Sequence, residues 1–233
     1  MIKEPKWHYF KDVDVWIFDL DNTLYPAHCN LFAQIDLKMG KFLTEYLHVD
    51  YPEAKALQKK YFAEYGTTLN GLMKCHGMDP AAYLEFVHDI DVSHIDPDHR
   101  LNKALEKIGG RKIIFTNASE AHALNVSRRL GIDHHFEDIF DIHKSEFIPK
   151  PEITIYRKLL QDLNIDPIRA VFFEDMAKNL KPAHDLGMKT VWIPNTESWS
   201  HEQSGGAHVH HIVEDLSHWL EALIEDRDAP KAK

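Results

Sequence analysis

Sulfhydryl chemistry is almost missing from this chain: 233 residues carry two cysteines, Cys29 and Cys75, far apart and without the spacing of a metal-binding pair. That scarcity argues against a disulfide-stapled scaffold, and free thiols in a reducing compartment are expected. Long apolar runs are missing as well. No stretch approaches the roughly 18 residues that a membrane span requires, and the opening MIKEPKWHYFKDVDVW lacks the apolar centre of a signal peptide. A cytoplasmic location with no membrane partner is therefore expected. Basic residues are in deficit, 27 Lys and Arg against 37 Asp and Glu, for a formal net charge of -10. A nucleic-acid polymer favours a basic face, so it is not the expected partner, whereas a small anion in a locally basic pocket is compatible. No G-x-x-x-x-G-K-[ST] loop, internal repeat or low-complexity tract is present.

What the chain has is an alternation of short β-rich runs with helical patterns. Runs at 13–18, 112–115, 139–142, 170–173 and 190–193 are nearly continuous in apolar residues, as expected of strands covered on both faces. Helical spacing separates them at 120–130, stopped by Gly131, at 151–163, and up to Leu186 with Gly187 as its cap. The expected fold class is α/β, a Rossmann-like doubly wound parallel sheet. The connection after the first strand is too long for a loop. Leu31, Phe32, Ile35, Met39, Phe42, Leu43, Tyr46 and Leu47 recur at helical spacing. Asp50, Pro52 and Glu53 announce a second helix closed by Gly66. Thr67 or Thr68 caps a third, Asp79-Pro80 opens a fourth and Asp96-Pro97 a fifth. An all-helical insertion is expected over 25–104, with the core formed by 1–24 and 105–233. The charged tail from 225 to 233 is expected to fray.

Histidine is plentiful, at 17 residues. Alternation in the cluster His208, His210 and His211 puts a surface metal site within reach, but solvated loop or strand-edge positions explain it more simply. His134-His135 is read in the same way.

In an open parallel sheet, ligands bind beyond the carboxyl ends of the strands. The first strand ends in Asp19-Leu20-Asp21-Asn22-Thr23, the second in Thr116-Asn117, and the fourth in Glu174-Asp175, with Asn179 a helical turn later. The third leads to Lys150 between two prolines. Each has an ordinary alternative: a helix N-cap at Thr116-Asn117, a solvated loop lysine, an exposed acidic turn. Jointly they place carboxylates, a hydroxyl and a lysine on one rim, a set that suits Mg²⁺ and a phosphoryl group. A carboxylate can itself attack phosphorus and form an acyl phosphate.

DLDNT, FTN, the lysine of PKP and the acidic pair of FFEDMAKN, in that order, resemble the four motifs of the haloacid dehalogenase superfamily. The insertion resembles that superfamily's helical C1-type cap. DLDNTLYP, YGTTLNGL (65–72), FVHDID (86–91), FTNA, PKP and FFEDMAKNLKPAHDLGM resemble the pyrimidine 5′-nucleotidase branch. The resemblance implies a Mg²⁺-dependent phosphomonoesterase acting on a nucleoside monophosphate. In it Asp19 is the nucleophile and Asp21, protonated at first, the general acid and then base. Thr116, Asn117 and Lys150 hold the phosphoryl group. Asp19, the Asp21 carbonyl and Asp175 hold the metal, and Glu174, Asn179 and Thr23 support them. Asn179 stands where some members carry a later aspartate, so Glu174 also stays open as a direct ligand. Residues 22–25 link core to cap.

Other readings remain. A dehalogenase needs no acid two residues after the nucleophile, so Asp21 counts against it. A phosphomutase or sugar phosphatase of the same fold would differ in the cap. A phosphoryl-receiving signalling domain or a non-catalytic binding module would not release phosphate steadily. Tyr25, Phe32, Tyr61 and Tyr65 could stack on a base, although their spacing equally suits helix packing.

Overall fold

Apolar runs of four or five residues cannot leave their backbone unpaired inside a core, and pairing them side by side satisfies it. In the computed structural model, which describes residues 5–230, β1 (Val15–Phe18), β2 (Arg111–Phe115), β3 (Asp138–Phe140), β4 (Ala170–Glu174), β5 (Lys189–Trp192) and β6 (His211–Ile212) form one parallel sheet in the order β3-β2-β1-β4-β5-β6. The strand expected over 13–18 starts two residues later, and that expected over 139–142 is shifted toward the N-terminus. The edge strand β6 is only two residues long, too short to stand out in the sequence.

A one-turn helix α1 (Trp7–Phe10) precedes β1. Between β1 and β2 lie α2 (Leu31–Leu47), α3 (Tyr51–Tyr65), α4 (Thr68–His76), α5 (Pro80–His88) and α6 (His99–Ile108). Then α7 (Glu120–Leu130) links β2 to β3, α8 (Ile153–Asp162) links β3 to β4 and α9 (Ala177–Asp185) links β4 to β5, while α10 (Leu216–Asp228) follows β6. None of the described helices is long and apolar enough to cross a membrane.

Period-two alternation divides β1 between two helical layers. Trp16 and Phe18 join Leu105, Val126, Trp219 and Leu223, from α6, α7 and α10, on one face. Val15 and Ile17 join Ile155, Leu159, Leu180 and Ala183, from α8 and α9, on the other. Helices α2 to α5 gather around a hydrophobic cluster of their own, with Ile35, Leu43, Tyr61, Leu72, Leu84 and Val87 at its centre. Tyr61 and Tyr65 belong here. The Tyr61 hydroxyl meets His76 Nε2 at 2.7 Å, and that of Tyr65 accepts from Cys75 Sγ at 3.3 Å. Gly71 lets α3 and α4 touch: a Cβ there would lie 2.4 Å from Tyr61 Cβ.

The expected caps mostly form, since an aspartate or threonine oxygen satisfies the first free N–H groups of a helix. Asp50 accepts from Glu53 N, Thr67 from Asn70 N and Asp79 from Ala81 N. The start of α6 differs. Asp98, not Asp96, accepts from the Arg100 and Leu101 N–H groups, so Asp96-Pro97 lies outside the helix. The tail differs too, because α10 runs on to Asp228 with Leu223 and Ile224 buried; positions 231–233 fall outside the described residues. Of the C-terminal histidines, His210 is exposed and His211 lies on the edge strand β6, as expected, whereas His208 is not solvated. His208 is buried with its carbonyl accepting from Thr190 Oγ1, His210 Nδ1 accepts from Thr190 N, and His211 opens β6. His135 is likewise engaged, with Nε2 against Asn102 Oδ1.

Candidate active site

Strand β1 has β2 on one side and β4 on the other, so the loops leaving these three strands open onto one crevice. The loop after β3 reaches the same place. The structure brings together Asp19, Asp21, Thr23, Thr116, Asn117, Lys150, Glu174 and Asp175, and each is tied to at least one partner.

Lys150 is the hub. It is 2% exposed, and Nζ donates to Asp19 Oδ1 at 2.7 Å, to Glu174 Oε2 at 2.7 Å and to the Phe115 carbonyl at 3.0 Å. Its ammonium also lies 5.2 Å and 5.4 Å from the ring centres of Phe115 and Phe172. A solvated loop lysine is thereby excluded, as is an exposed turn for Glu174 and Asp175, both buried. Burial works against the ammonium, but Asp19 and Glu174 outweigh it and hold the Lys150 pKa above the usual lysine value. Asn117 Oδ1 accepts from the Lys150 N–H at 2.9 Å and so fixes the loop that delivers the lysine. The helical insertion abuts this loop: a Cβ on Gly66, which has φ +82°, would meet Pro149 Cγ at 3.3 Å.

Asp19 accepts from Thr23 Oγ1 on its second oxygen, at 3.1 Å. Burial, then the neighbouring Glu174, push its carboxyl up to about 7 in spite of Lys150. Asp175 is raised well above the carboxylate range by burial, Glu174 and Asp19. Its Oδ2 accepts from Asn22 and Asn195 side-chain amides, and its carbonyl from Trp192 Nε1 and Ser200 Oγ. Thr116 Oγ1 accepts from Ala118 N at 3.0 Å, which leaves the hydroxyl hydrogen free to donate. Ser119, rather than Thr116 or Asn117, is the N-cap of α7.

Three buried carboxylates against one lysine is an arrangement short of positive charge. Oxygens of Asp19, Glu174 and Asp175 lie within 4.8 Å of one another. Asn179 Oδ1 is buried without a hydrogen-bond partner, although the Asn179 carbonyl accepts from Tyr156. Hard oxygen donors of this kind, with an excess of negative charge, fit a divalent cation such as Mg²⁺.

Asp21 sits in a different environment, although only Leu20 separates it from Asp19. Burial pushes its carboxyl up, but His122, then Tyr25, overcome this and hold it below the usual range. In the free protein these donors favour the ionised carboxyl. The Tyr25 hydroxyl donates to Oδ1 at 2.6 Å and His122 Nε2 lies 2.9 Å from the same oxygen. Tyr25 is 1% exposed and offers no ring face to a base. Phe32, of the four aromatics named, is tilted on Trp199 at 6.0 Å, and the residue after Trp199, Ser200, donates to the Asp175 carbonyl. His122 has one sequence signal only, its place in the first turn after Thr116-Asn117 on the same rim. Asn22 lies within the DLDNT motif, whereas Asn195 has no signal beyond lying just past β5.

The family model of haloacid dehalogenase-like hydrolases matches residues 13–187. Over 228 residues the chain is 26% identical to phosphate metabolism protein 8 of Saccharomyces cerevisiae, covering 90% of this chain and 65% of that protein's length. It is 26% identical over 234 residues to the glyceraldehyde 3-phosphate phosphatase of Pyrococcus furiosus, covering 94% of this chain and 96% of that one. Among solved structures, a predicted phosphoglycolate phosphatase from Haemophilus somnus superposes with a TM-score of 0.61 at 16% identity, over 90% of this chain and 97% of that one. At that identity the likeness is one of fold.

Proposed function

Because the chain belongs to the haloacid dehalogenase-like hydrolases, we propose that it is a Mg²⁺-dependent phosphomonoesterase that works through an aspartyl phosphate on Asp19. The observation that carries this reading is the contrast between two carboxylates separated by one residue. Asp19 is fixed by Lys150 and Thr23, while Asp21 is fixed by Tyr25 and His122. Carboxylates held in such unlike environments divide the work of nucleophile and acid–base.

Asp19 attacks phosphorus, the bond from phosphorus to the ester oxygen breaks, and Asp21 gives its proton to the leaving alkoxide. A water then loses a proton to Asp21 and attacks the acyl phosphate, which releases inorganic phosphate and restores Asp19. The incoming phosphoryl group supplies what the resting protein lacks: a dianion beside Asp21 pushes that carboxyl upward, as any like charge does. Protonated Asp21 thus belongs to the complex rather than to the free protein. Thr116, with its free hydroxyl hydrogen, and Asn117 bind phosphoryl oxygens, and Lys150 offsets the charge gathered on Asp19 and Glu174. Asp19, the Asp21 carbonyl and Asp175 would hold Mg²⁺, with Glu174 and Asn179 beside them. When bound, the ion supplies Lewis-acid neutralisation of the phosphoryl oxygens. The insertion serves as the cap that excludes bulk water. Its mobile part is α2 to α5, because α6 packs with α7 and α10 against the sheet.

For the substrate we propose a pyrimidine nucleoside 5′-monophosphate, from the motif resemblance, with Phe32 and Trp199, next to Ser200, as the aromatic pair offered to the base. A small phosphorylated sugar is the second reading, favoured by the Pyrococcus relative's name and by the burial of Tyr25 and Tyr61. A phosphate-release panel with Mg²⁺ tests both, comparing UMP, CMP and dUMP with AMP, GMP and sugar phosphates. Selective release from the pyrimidine esters supports the first reading, and preference for a sugar phosphate replaces it with the second. No release from any ester overturns the phosphatase.

A further inference from the structure

Two side chains from different elements converge on a single oxygen of Asp21. Tyr25, four residues further along the same loop, reaches Oδ1 at 2.6 Å, and His122, in the first turn of α7, reaches it at 2.9 Å. No hydrogen bond among the described residues reaches Oδ2, and the Asp21 side chain keeps 16% of its exposure. We infer that Tyr25 and His122 are positioning residues: they pin Oδ1 so that Oδ2 is the oxygen turned toward the leaving group and the attacking water. This rests on the proposed acid–base role of Asp21.

The physical need for pins follows from the torsion. The terminal torsion of an aspartate is broad and roughly two-fold, so an unheld carboxyl presents either oxygen over a wide range of angles. Holding the reacting group in the productive geometry is itself a large part of a rate enhancement. Two donors on one oxygen reduce the range to a single orientation.

His122 is itself held. Its side chain is 0% exposed, Nδ1 has no hydrogen-bond partner, and because an ionised Oδ1 can only accept, Nε2 is the nitrogen that donates to it. A buried nitrogen without a partner is a stability cost that an apolar ring of similar size would avoid. His88, at the end of α5, stacks on the His122 ring with centroids 4.5 Å apart and planes at 16°. The Ser119 hydroxyl, the N-cap of α7, pairs with His88 Nδ1 at 2.9 Å. The helical insertion thereby covers one face of the ring that orients Asp21, and seating the insertion completes the arrangement.

The test measures Tyr25→Phe and His122→Asn with Mg²⁺ on two esters that differ in their need for a proton. One is p-nitrophenyl phosphate, whose leaving group departs readily as an anion; the other is the best alkyl ester of the substrate panel. In each variant kcat/KM, which reports formation of the aspartyl phosphate, is expected to fall about tenfold further for the alkyl ester than for the aryl ester, while kcat falls on both because the attacking water also needs Asp21. Neither change should add to the loss on the alkyl ester once Asp21→Asn is present. Tyr25→Phe removes a single oxygen, and so keeps the test decisive if His122→Asn disturbs the fold. Equal losses of kcat/KM on both esters, or losses that multiply with Asp21→Asn, overturn the inference. Wild-type protein that releases phosphate from neither ester overturns instead the reading beneath it.

Discussion

Lys150→Met isolates the charge that holds the crevice together. Methionine keeps the length of the stem and its packing against Phe115 and Phe172, but removes the ammonium that bridges Asp19 and Glu174 at 2.7 Å each. The lysine is 2% exposed and its two partners 8% and 1%, so water cannot replace it without rearrangement. Breaking a buried ion pair from one side costs about 3–5 kcal/mol, because the remaining charge is left uncompensated. For a chain of this size each kcal/mol is worth roughly 2–4 °C, so the thermal midpoint should drop by about 6–20 °C. The loss should be greater near pH 8 than near pH 6, because Asp19 and Asp175 already favour their protonated forms in the folded state and protonation relieves the repulsion. It should also shrink when Mg²⁺ is added, since a divalent cation restores part of the missing charge. Circular dichroism melts of wild type and variant, with EDTA and with Mg²⁺, read all three effects. A drop of less than about 2 °C in EDTA near pH 8 refutes the reasoning, because it means that the carboxylates do not depend on the lysine.

Three further outcomes are expected. Asp19→Asn should lower phosphate release by about 10³-fold or more while the melt stays cooperative; turnover near the wild-type rate would remove Asp19 as nucleophile. Asp19 titrates at about 7 in the folded protein against an ordinary 3.8, so its contribution to stability is fully present below the ordinary value and lost as pH rises through about 7. A cation that displaces this proton should bind more tightly as pH rises, and the Mg²⁺-induced shift in thermal midpoint should grow from about pH 6 to about pH 8; a flat or shrinking shift rules this out. Gly71→Ala places a Cβ 2.4 Å from Tyr61 Cβ and should cost about 1–3 kcal/mol through overpacking, which exceeds the roughly 1 kcal/mol that alanine gains over glycine in helix propensity. A midpoint at or above wild type would contradict the close approach of α3 and α4.

The sheet core and most helix starts were legible because their signals are local. A short continuous apolar run between turn signals suits a strand buried on both faces, and an aspartate or threonine before a periodic segment has a free N–H to satisfy. Asp98 shows where this fails: an Asp-Pro pair at 96–97 is the stronger sequence signal, yet the side chain that reaches the free N–H groups belongs to the next aspartate. The rim was legible for a similar reason, since strand ends in a parallel sheet share a side. His122 and Asn195 were not, because their roles come from contacts with Asp21 and Asp175 across long separations in sequence. The environment of Asp21 was legible only in part: Tyr25 is a near neighbour in sequence, whereas His122 reaches it from α7.

The central position of β1 also has a bearing on how the protein comes to be folded. This strand comes first in sequence among the six, yet Val15 pairs with Arg111 on one side and with Ala170 on the other. Pairings so distant in sequence are slow to form, because the entropy of closing the intervening loop is lost before any contact repays it. Helices α2 to α5, with their own hydrophobic cluster, rely on nearer contacts and can gather earlier. Lys150, from the chain beyond β3, and Glu174, at the end of β4, meet Asp19 only when β1 has acquired both neighbours. Recovery of activity after refolding should therefore follow completion of the sheet and lag behind recovery of helix content.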